Sequence, residues 1–171
     1  MGHLGDIEVS TDGTPPARGG DAARVLTIDL EELSWALTSR DPLGESAHWL
    51  NLKSGVILSL IGPDAYDETD GDPRDDGRWL FIEPIESSEA FRVMEDFVDQ
   101  CGDDRLGRAL GQALQERKPF RRFKDVLASH PTQREAWFAF ERQAMEVIAR
   151  RWCEDHGISP RWTARPNRPT P

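Results

Sequence analysis

The sequence lacks several features that would place the protein in a well-defined functional class. No apolar run approaches the ~20 residues that a membrane-spanning helix requires, and the first 23 residues contain no hydrophobic signal region. There is also no Ser/His/Asp signature, no glycine-rich phosphate loop and no dinucleotide-binding fingerprint. These absences predict a cytoplasmic protein without a membrane partner, and they favour a non-catalytic role over an enzyme.

Cysteine is scarce as well. Cys101 and Cys153 are far apart in segments with helical periodicity, which is typical of reduced thiols in a cytosolic protein. Cys153-x-x-His156, together with His130 or Cys101, raises the alternative of a zinc site. Structural zinc normally takes four ligands from paired short spacings, and only one such pair is present. We therefore predict packed cysteines, surface histidines, no bound metal and no cofactor.

The composition predicts a single domain with extensions at both ends. The chain has 171 residues, and its hydrophobic fraction of 37% is low for a globular protein. Residues 1–24 contain Gly, Pro, Asp and Thr without periodicity, whereas residues 158–171 are rich in Arg and Pro. Both ends are expected to be disordered. We assign residues 25–157 to one folded domain.

The net charge of −10 is unevenly distributed along the chain. Residues 1–100 carry 7 Lys/Arg and 22 Asp/Glu, a net charge of −15. Residues 101–171 carry 14 Lys/Arg and 9 Asp/Glu, a net charge of +5. Such an uneven charge distribution is evidence about binding partners rather than about the fold. The acidic half would repel nucleic acid, but the basic half need not.

The first half of the chain predicts one helix and three strands. Asp29 and Glu32 form a capping-box arrangement, and the helix that follows ends before Asp41-Pro42. Two apolar segments flank Lys53-Ser54-Gly55, where glycine suits a short hairpin loop. The predicted core face of this hairpin is Leu50, Leu52, Val56, Leu58 and Leu60. A third strand follows at 78–82.

From Ser87 onward the apolar residues recur with helical spacing. Ser87 or Ser88 caps a first helix, and Asp103 or Asp104 caps a second. A short third helix begins near Pro119, and a long fourth helix ends at Gly157. The predicted inner face of the long helix comprises Trp137, Phe140, Ala144, Val147, Ile148 and Trp152. We predict an α+β fold with an N-terminal helix, a three-stranded antiparallel meander and a C-terminal layer of four helices.

Several of these segments together resemble a bacterial family of unknown function, Uncharacterised Protein Family 0158. The segments that carry the resemblance are 49–56, 79–87, 94–97, 120–127 and 137–141. They extend over roughly residues 28 to 155, so the two chain ends lie outside the shared pattern. The resemblance implies a compact bacterial domain. It implies no established activity and no catalytic residues.

The basic stretch around the third C-terminal helix is the most suggestive candidate for binding. Arg117, Lys118, Arg121, Arg122 and Lys124 place five cations within eight residues. They are able to engage phosphates. They are also able to bind an acidic protein surface. Pairing with carboxylates of the acidic half, Glu95 and Asp96 included, is the favoured alternative. Phe120 and Phe123 lie on the apolar stripe of this helix and are predicted to be core residues.

Two groups of carboxylates are candidates for chemistry. Glu83, Glu86, Glu95 and Asp96 surround the predicted junction between the third strand and the next helix. A pair of them would serve as acid and base if burial raised one pKa. The alternative is a structural role in helix capping and salt bridges. The loop 64–77 holds seven carboxylates, and either binds a hard cation or is a solvated connection.

Three functions follow from these observations, in order of preference. The first is a non-catalytic cytosolic interaction or regulatory module that binds a protein partner through its charged faces. The second is a nucleic-acid-associated protein that uses the stretch Arg117–Lys124. The third is a metal-dependent hydrolase built on the carboxylates at 83, 86, 95 and 96.

Overall fold

A computed structural model describes residues 23–40, 46–62 and 72–163 of the chain. The elements are β1 (Arg24–Ile28), α1 (Leu30–Thr38), β2 (Ser46–Asn51), β3 (Ile57–Ile61), β4 (Trp79–Phe81), α2 (Ser87–Asp99), α3 (Asp104–Gln115), α4 (Pro119–Ala128), α5 (Pro131–Asp155) and β5 (Ile158–Trp162). The predicted disorder of residues 1–22 and 164–171 concerns parts of the chain outside the described residues. Most of the acidic loop 64–77 also lies outside the described residues.

The α+β class and the three antiparallel strands are confirmed. The order in the sheet is β3-β2-β4, so β2 is the central strand, whereas a meander would place β3 in the centre. Trp49 of β2 faces Leu58 on one side and Phe81 on the other. The Trp49 and Phe81 rings meet edge to face at 5.1 Å between centroids, a geometry that stabilises cross-strand pairs.

Strands β1 and β5 form a second, parallel pair that the sequence did not reveal. Their register runs from Arg24↔Ile158 to Ile28↔Trp162. Residues 158–162 therefore belong to a strand rather than to a disordered tail, and Arg24 belongs to a strand rather than to the N-terminal extension. The segment contains Pro160, which is tolerated in an edge strand but gives the sequence the composition of a tail. Ile158 is nevertheless almost fully buried.

The aliphatic core, which we call the sheet cluster, lies between these strands and the helices α1 and α5. Its buried members are Leu26, Ile28, Leu33, Ala36, Leu37, Leu50, Ile82, Met145, Ile148, Ala149, Cys153 and Ile158. Asp29 caps α1 as predicted, because its side chain accepts hydrogen bonds from the amides of Glu31 and Glu32. The prediction for Val56 is wrong, since this residue follows the hairpin turn and is 58% exposed.

A second, aromatic core, the helical cluster, lies among α2, α3, α4 and the first half of α5. Its buried members are Met94, Phe97, Leu106, Leu110, Leu114, Phe123, Leu127 and Trp137. Phe123 and Trp137 were predicted to face inward, and Asp103, one of the two predicted caps, caps α3. The cap of α2 is different from the prediction. Glu86 occupies the N-cap position without a side-chain hydrogen bond, and Ser87 is already helical.

Helix α5 contributes to both clusters, which explains an error in its predicted inner face. Its first part contributes Trp137 to the helical cluster, and its second part contributes Met145, Ile148 and Cys153 to the sheet cluster. The buried face therefore changes along the helix, and a single stripe does not describe it. Val147 was predicted to be buried but is 67% exposed.

Candidate binding surfaces

Four of the five predicted cations surround one pocket at the corner between α3 and α4, which we call the basic groove. Arg117, Lys118, Arg121 and Arg122 line a pocket of about 320 Å³ together with Asp125. Arg121 and Arg122 lie off the apolar face of α4, because the helix buries Phe123 and Leu127 on its opposite side.

The local backbone explains why these cations share one pocket. Lys118 has a left-handed conformation with φ of 59°, and Pro119 begins α4 directly after it. The Lys118 carbonyl accepts hydrogen bonds from the amides of Arg121 and Arg122. A sharp corner followed by the first turn of a helix therefore places residues 117 and 118 beside residues 121 and 122.

The cations of the basic groove are exposed, and their ion pairs with other described residues are local. The Arg122 guanidinium lies 3.3 Å from the Glu116 carboxylate, and the Arg121 guanidinium lies 3.9 Å from the Asp125 carboxylate. The side chains of Arg121 and Arg122 are 77% and 59% exposed, so such pairs contribute little to stability. Among the described residues, no ion pair joins them to Glu95 or Asp96. The expected neutralisation by the acidic half is therefore not observed in the described part of the chain.

Lys124, the fifth predicted cation, belongs to a different site. It borders a cleft of about 340 Å³ between the two hydrophobic clusters, which we call the central cleft. The apolar residues that line this cleft are Ile85, Ala90, Val93, Met94, Phe120, Trp137 and Met145. Phe120 was predicted to be a core residue, but it is 40% exposed at this cleft.

Three charged side chains also line the central cleft. Arg40 donates to the Ile85 carbonyl at 2.5 Å, and its guanidinium lies 4.0 Å from the Glu86 carboxylate. Burial raises the pKa of the half-buried Glu141 carboxyl, while the positive charge of Lys124 acts in the opposite direction with a smaller effect. Two cations and one carboxyl with a raised pKa thus lie beside an apolar pocket.

The central cleft continues into a wider groove between α1 and α5. Thr38, Glu141 and Met145 line both. The exposed aromatic side chains of Trp35 and Phe138 line the wider groove. No signal in the sequence pointed to either cavity, because both depend on how α1 and α2 pack against α5.

The predicted carboxylate group is not brought together. Glu83, Glu86, Glu95 and Asp96 are all exposed. Glu86 lies at the start of α2, and Glu95 and Asp96 lie nine or ten residues further along it, a distance of roughly 14 Å at 1.5 Å per residue. Glu89, on the first turn of α2, instead pairs with Arg151 of α5. Glu86 therefore shares no site with Glu95 or Asp96, and an acid–base pair among the four carboxylates stays a prediction.

No metal-binding group of three or more His, Cys, Asp or Glu side chains occurs within residues 23–40, 46–62 and 72–163. In the acidic loop, Asp72 pairs with Arg74 and Asp76 with Arg78, and these hydrogen bonds lower the pKa of both aspartates. Residues 64–71 of this loop lie outside the described residues.

Burial raises the pKa of the Cys153 thiol to about 11. The described segments also contain no helix long and apolar enough to span a membrane.

Comparisons with known proteins agree with the resemblance inferred from the sequence. A family model described as "Uncharacterised protein family (UPF0158)" matches residues 23–166, which include β1 and β5. The UPF0158 protein PA5073 of Pseudomonas aeruginosa is 33% identical over 142 residues, covering 80% of this chain and 88% of the relative. No solved structure matches the chain. The chain thus belongs to the uncharacterised protein family UPF0158.

Proposed function

We propose that the protein is a non-catalytic interaction module of the bacterial cytoplasm, and that its basic groove binds an acidic segment of a protein partner. The observation that carries the proposal is the convergence of Arg117, Lys118, Arg121 and Arg122 on one exposed pocket. Their ion pairs with Glu116 and Asp125 are exposed and weak, so an external carboxylate competes with them at little cost.

The mixture of charges at the groove favours protein over nucleic acid as the partner. Asp125 lines the pocket itself and Glu116 lies next to it. A nucleic acid would bring a continuous row of phosphates past these two carboxylates, and the remainder of a chain with net charge −10 would repel it. An acidic protein segment carries discrete carboxylates, which bind Arg in a bidentate manner and leave room for Glu116 and Asp125.

Binding of a glutamate-rich peptide to the purified full chain tests the proposal. Reversing two charges with Arg121→Glu and Arg122→Glu is expected to weaken binding at least about tenfold, because each charge-assisted hydrogen bond contributes ~1.5–3 kcal/mol. The matched control is Arg105→Glu with Arg108→Glu, two exposed arginines of α3 that do not line the groove. This control is expected to bind the peptide as the wild type does.

Two results would contradict the proposal. A short DNA or RNA that binds more tightly than the peptide, with affinity that falls steeply with salt and disappears on charge reversal, would establish the nucleic-acid alternative. Equal loss of peptide binding in both double variants would show that overall charge, and not the basic groove, governs the interaction.

A further inference from the structure

We propose that the central cleft binds a small amphipathic carboxylate, with its apolar part between the two hydrophobic clusters and its carboxylate near Lys124 and Arg40. This site is separate from the basic groove, and the inference does not depend on the proposed function. The two sites share no lining residue.

The walls of the cleft suit the apolar part of such a ligand. Met94 and Trp137 come from the helical cluster, Met145 comes from the sheet cluster, and Val93 packs against both. A volume of about 340 Å³ is at the lower end of the range of small-molecule sites, ~300–1,000 Å³. The two methionines are flexible and adapt to ligands of different shape. The cleft therefore suits a short aliphatic or single-ring group.

The charges at the cleft select an anion. Within the described residues Lys124 forms no salt bridge, and its charge acts on Glu141 with only a minor effect, so its ammonium group is available to a ligand. Arg40 uses one donor on the Ile85 carbonyl, and a guanidinium has five. Among the described residues that line the cleft, Glu141 is the one acidic side chain, which leaves a net charge of one positive when it is ionised. The Glu86 carboxylate lies 4.0 Å from the Arg40 guanidinium, but it is 87% exposed and outside the lining, so solvent screens its charge. A single carboxylate matches that charge.

The environment of Glu141 reinforces this selection. Burial raises its pKa, which favours the neutral carboxyl. A neutral carboxyl donates a hydrogen bond, whereas a carboxylate only accepts. A ligand carboxylate placed beside Lys124 further favours protonation of Glu141, because two nearby carboxylates ionise together only at a cost.

Titration calorimetry with three probes of one chain length tests the proposal on the full chain. Octanoate, 1-octanol and octylammonium share an apolar tail and differ in the charge of the head group. We expect saturable one-to-one binding of octanoate with a sub-millimolar Kd, weaker binding of octanol and the weakest binding of octylammonium. Equal affinity for the three probes would overturn the assigned anion selectivity, and the absence of saturable octanoate binding would overturn the site.

Variants locate the binding within the cleft. Lys124→Met keeps the apolar stem but removes the charge, and we expect about tenfold weaker octanoate binding with little change for octanol. Lys53→Met, in the exposed hairpin turn, is the matched control and is expected to bind octanoate as the wild type does. Loss of octanoate affinity in both variants alike would refute a specific role for Lys124.

Filling the cleft gives a second, independent test. Ala90 of α2 lines the cleft, so Ala90→Leu is expected to occupy it and abolish binding of both octanoate and octanol. Ala139→Leu, on an exposed part of α5, is the control. Should Ala90→Leu fail to fold, Ser87→Phe fills the cleft from the exposed first turn of α2. Unchanged octanoate binding in the folded filling variant would place the ligand elsewhere.

A polypeptide C-terminus presents the same chemistry as a free acid, and N-acetyl-leucine distinguishes the two. Its amide needs hydrogen-bond partners that the apolar walls do not provide. We therefore expect it to bind more weakly than octanoate. Tighter binding of N-acetyl-leucine would reassign the cleft to a chain terminus and overturn the free acid as its ligand.

Discussion

The two hydrophobic clusters share α5 but are built in different ways. The helical cluster is centred on aromatic rings that meet edge to face, with Trp137 at 5.2 Å from Phe97 and 4.8 Å from Phe123 between centroids. The sheet cluster has aliphatic members almost throughout. All members of the helical cluster lie between residues 91 and 140, whereas the sheet cluster includes β1 and β5, near the two ends of the described chain.

This difference indicates which of the two clusters depends on contacts between residues that are far apart in the sequence. Helices α2 to α5 each contact a neighbour in sequence, so most of the helical cluster forms from local contacts. The pairing of β1 with β5 closes a loop that includes every other element, and such closure costs conformational entropy. We therefore expect the sheet cluster to be lost when either end strand is removed, and the helical cluster to respond mainly to changes in its own side chains.

The largest effect is expected from removal of β5. A chain that ends at Gly157 leaves β1 without its partner strand and uncovers Leu26 and Ile28. We expect a loss on the order of 5 kcal/mol or more, which is comparable with the whole stability of a small domain. Urea unfolding followed by circular dichroism measures it. A chain that ends at Thr163 retains β5 and is the control, and equal instability of the two chains would contradict the role of β5.

The second prediction breaks the helical cluster at its centre. Phe123 is fully buried, and Phe123→Ala is expected to lower the free energy of unfolding by ~3–5 kcal/mol through lost burial and a residual cavity. Phe120→Ala, one turn earlier on the same helix, is the control. Phe120 is 40% exposed, so its replacement is expected to cost much less. Similar losses in the two variants would show that α4 is not anchored through Phe123.

The third prediction concerns the contact between the hairpin turn and β1. Gly55 has φ of 77°, and an added Cβ would lie 2.1 Å from the Thr27 carbonyl oxygen. Gly55→Ala is therefore expected to cost more than the ~1 kcal/mol of left-handed strain alone. Gly62→Ala separates the two causes, because Gly62 has φ of 101° but no atom within 4 Å of an added Cβ. If thermal unfolding showed equal losses of stability for Gly55→Ala and Gly62→Ala, the whole effect would be due to backbone strain.

The contrast between the local helical cluster and the long-range sheet cluster also explains which elements were predicted correctly from the sequence. The helical half could be predicted because its information is local: Asp103 caps α3, Pro119 begins α4, and apolar residues recur with a period of 3.6. The hairpin β2–β3 was also predicted, since its turn residues are adjacent in sequence. The pair β1–β5 was missed because neither strand alternates clearly, and nothing in Ile158–Trp162 identifies a partner near the other chain end.

The candidate sites show the same dependence on local sequence. The five cations were found in one eight-residue stretch, and the structure places four of them around the basic groove and Lys124 at the central cleft. The central cleft was missed because Arg40, Ser87, Lys124 and Glu141 come from separate segments. Only the packing of the two clusters against each other brings these side chains together.

The smallest expected effect concerns Glu141, in the cleft between the two halves. Burial raises its pKa in the folded protein above the ordinary value of 4.5, so the ionised carboxylate is less stable there than in the unfolded chain. The folded state accordingly loses stability as the pH rises from 4.5 through the raised pKa. Glu141→Gln removes this loss. We expect it to raise Tm by a few degrees at most at neutral pH, and not at all well below pH 4.5, where both proteins are neutral at this position.

The pH dependence of the difference in Tm distinguishes this mechanism from a general change in packing. Lys124 attracts the carboxylate and limits the effect, so Lys124→Met is expected to enlarge the gain from Glu141→Gln at neutral pH. Glu135→Gln is the control, because Glu135 is exposed on the same helix and its replacement is expected to change Tm little at any pH. If Glu141→Gln were less stable than the wild type at neutral pH, the ionised carboxylate would hold the two clusters together, and the cleft would not favour an external anion.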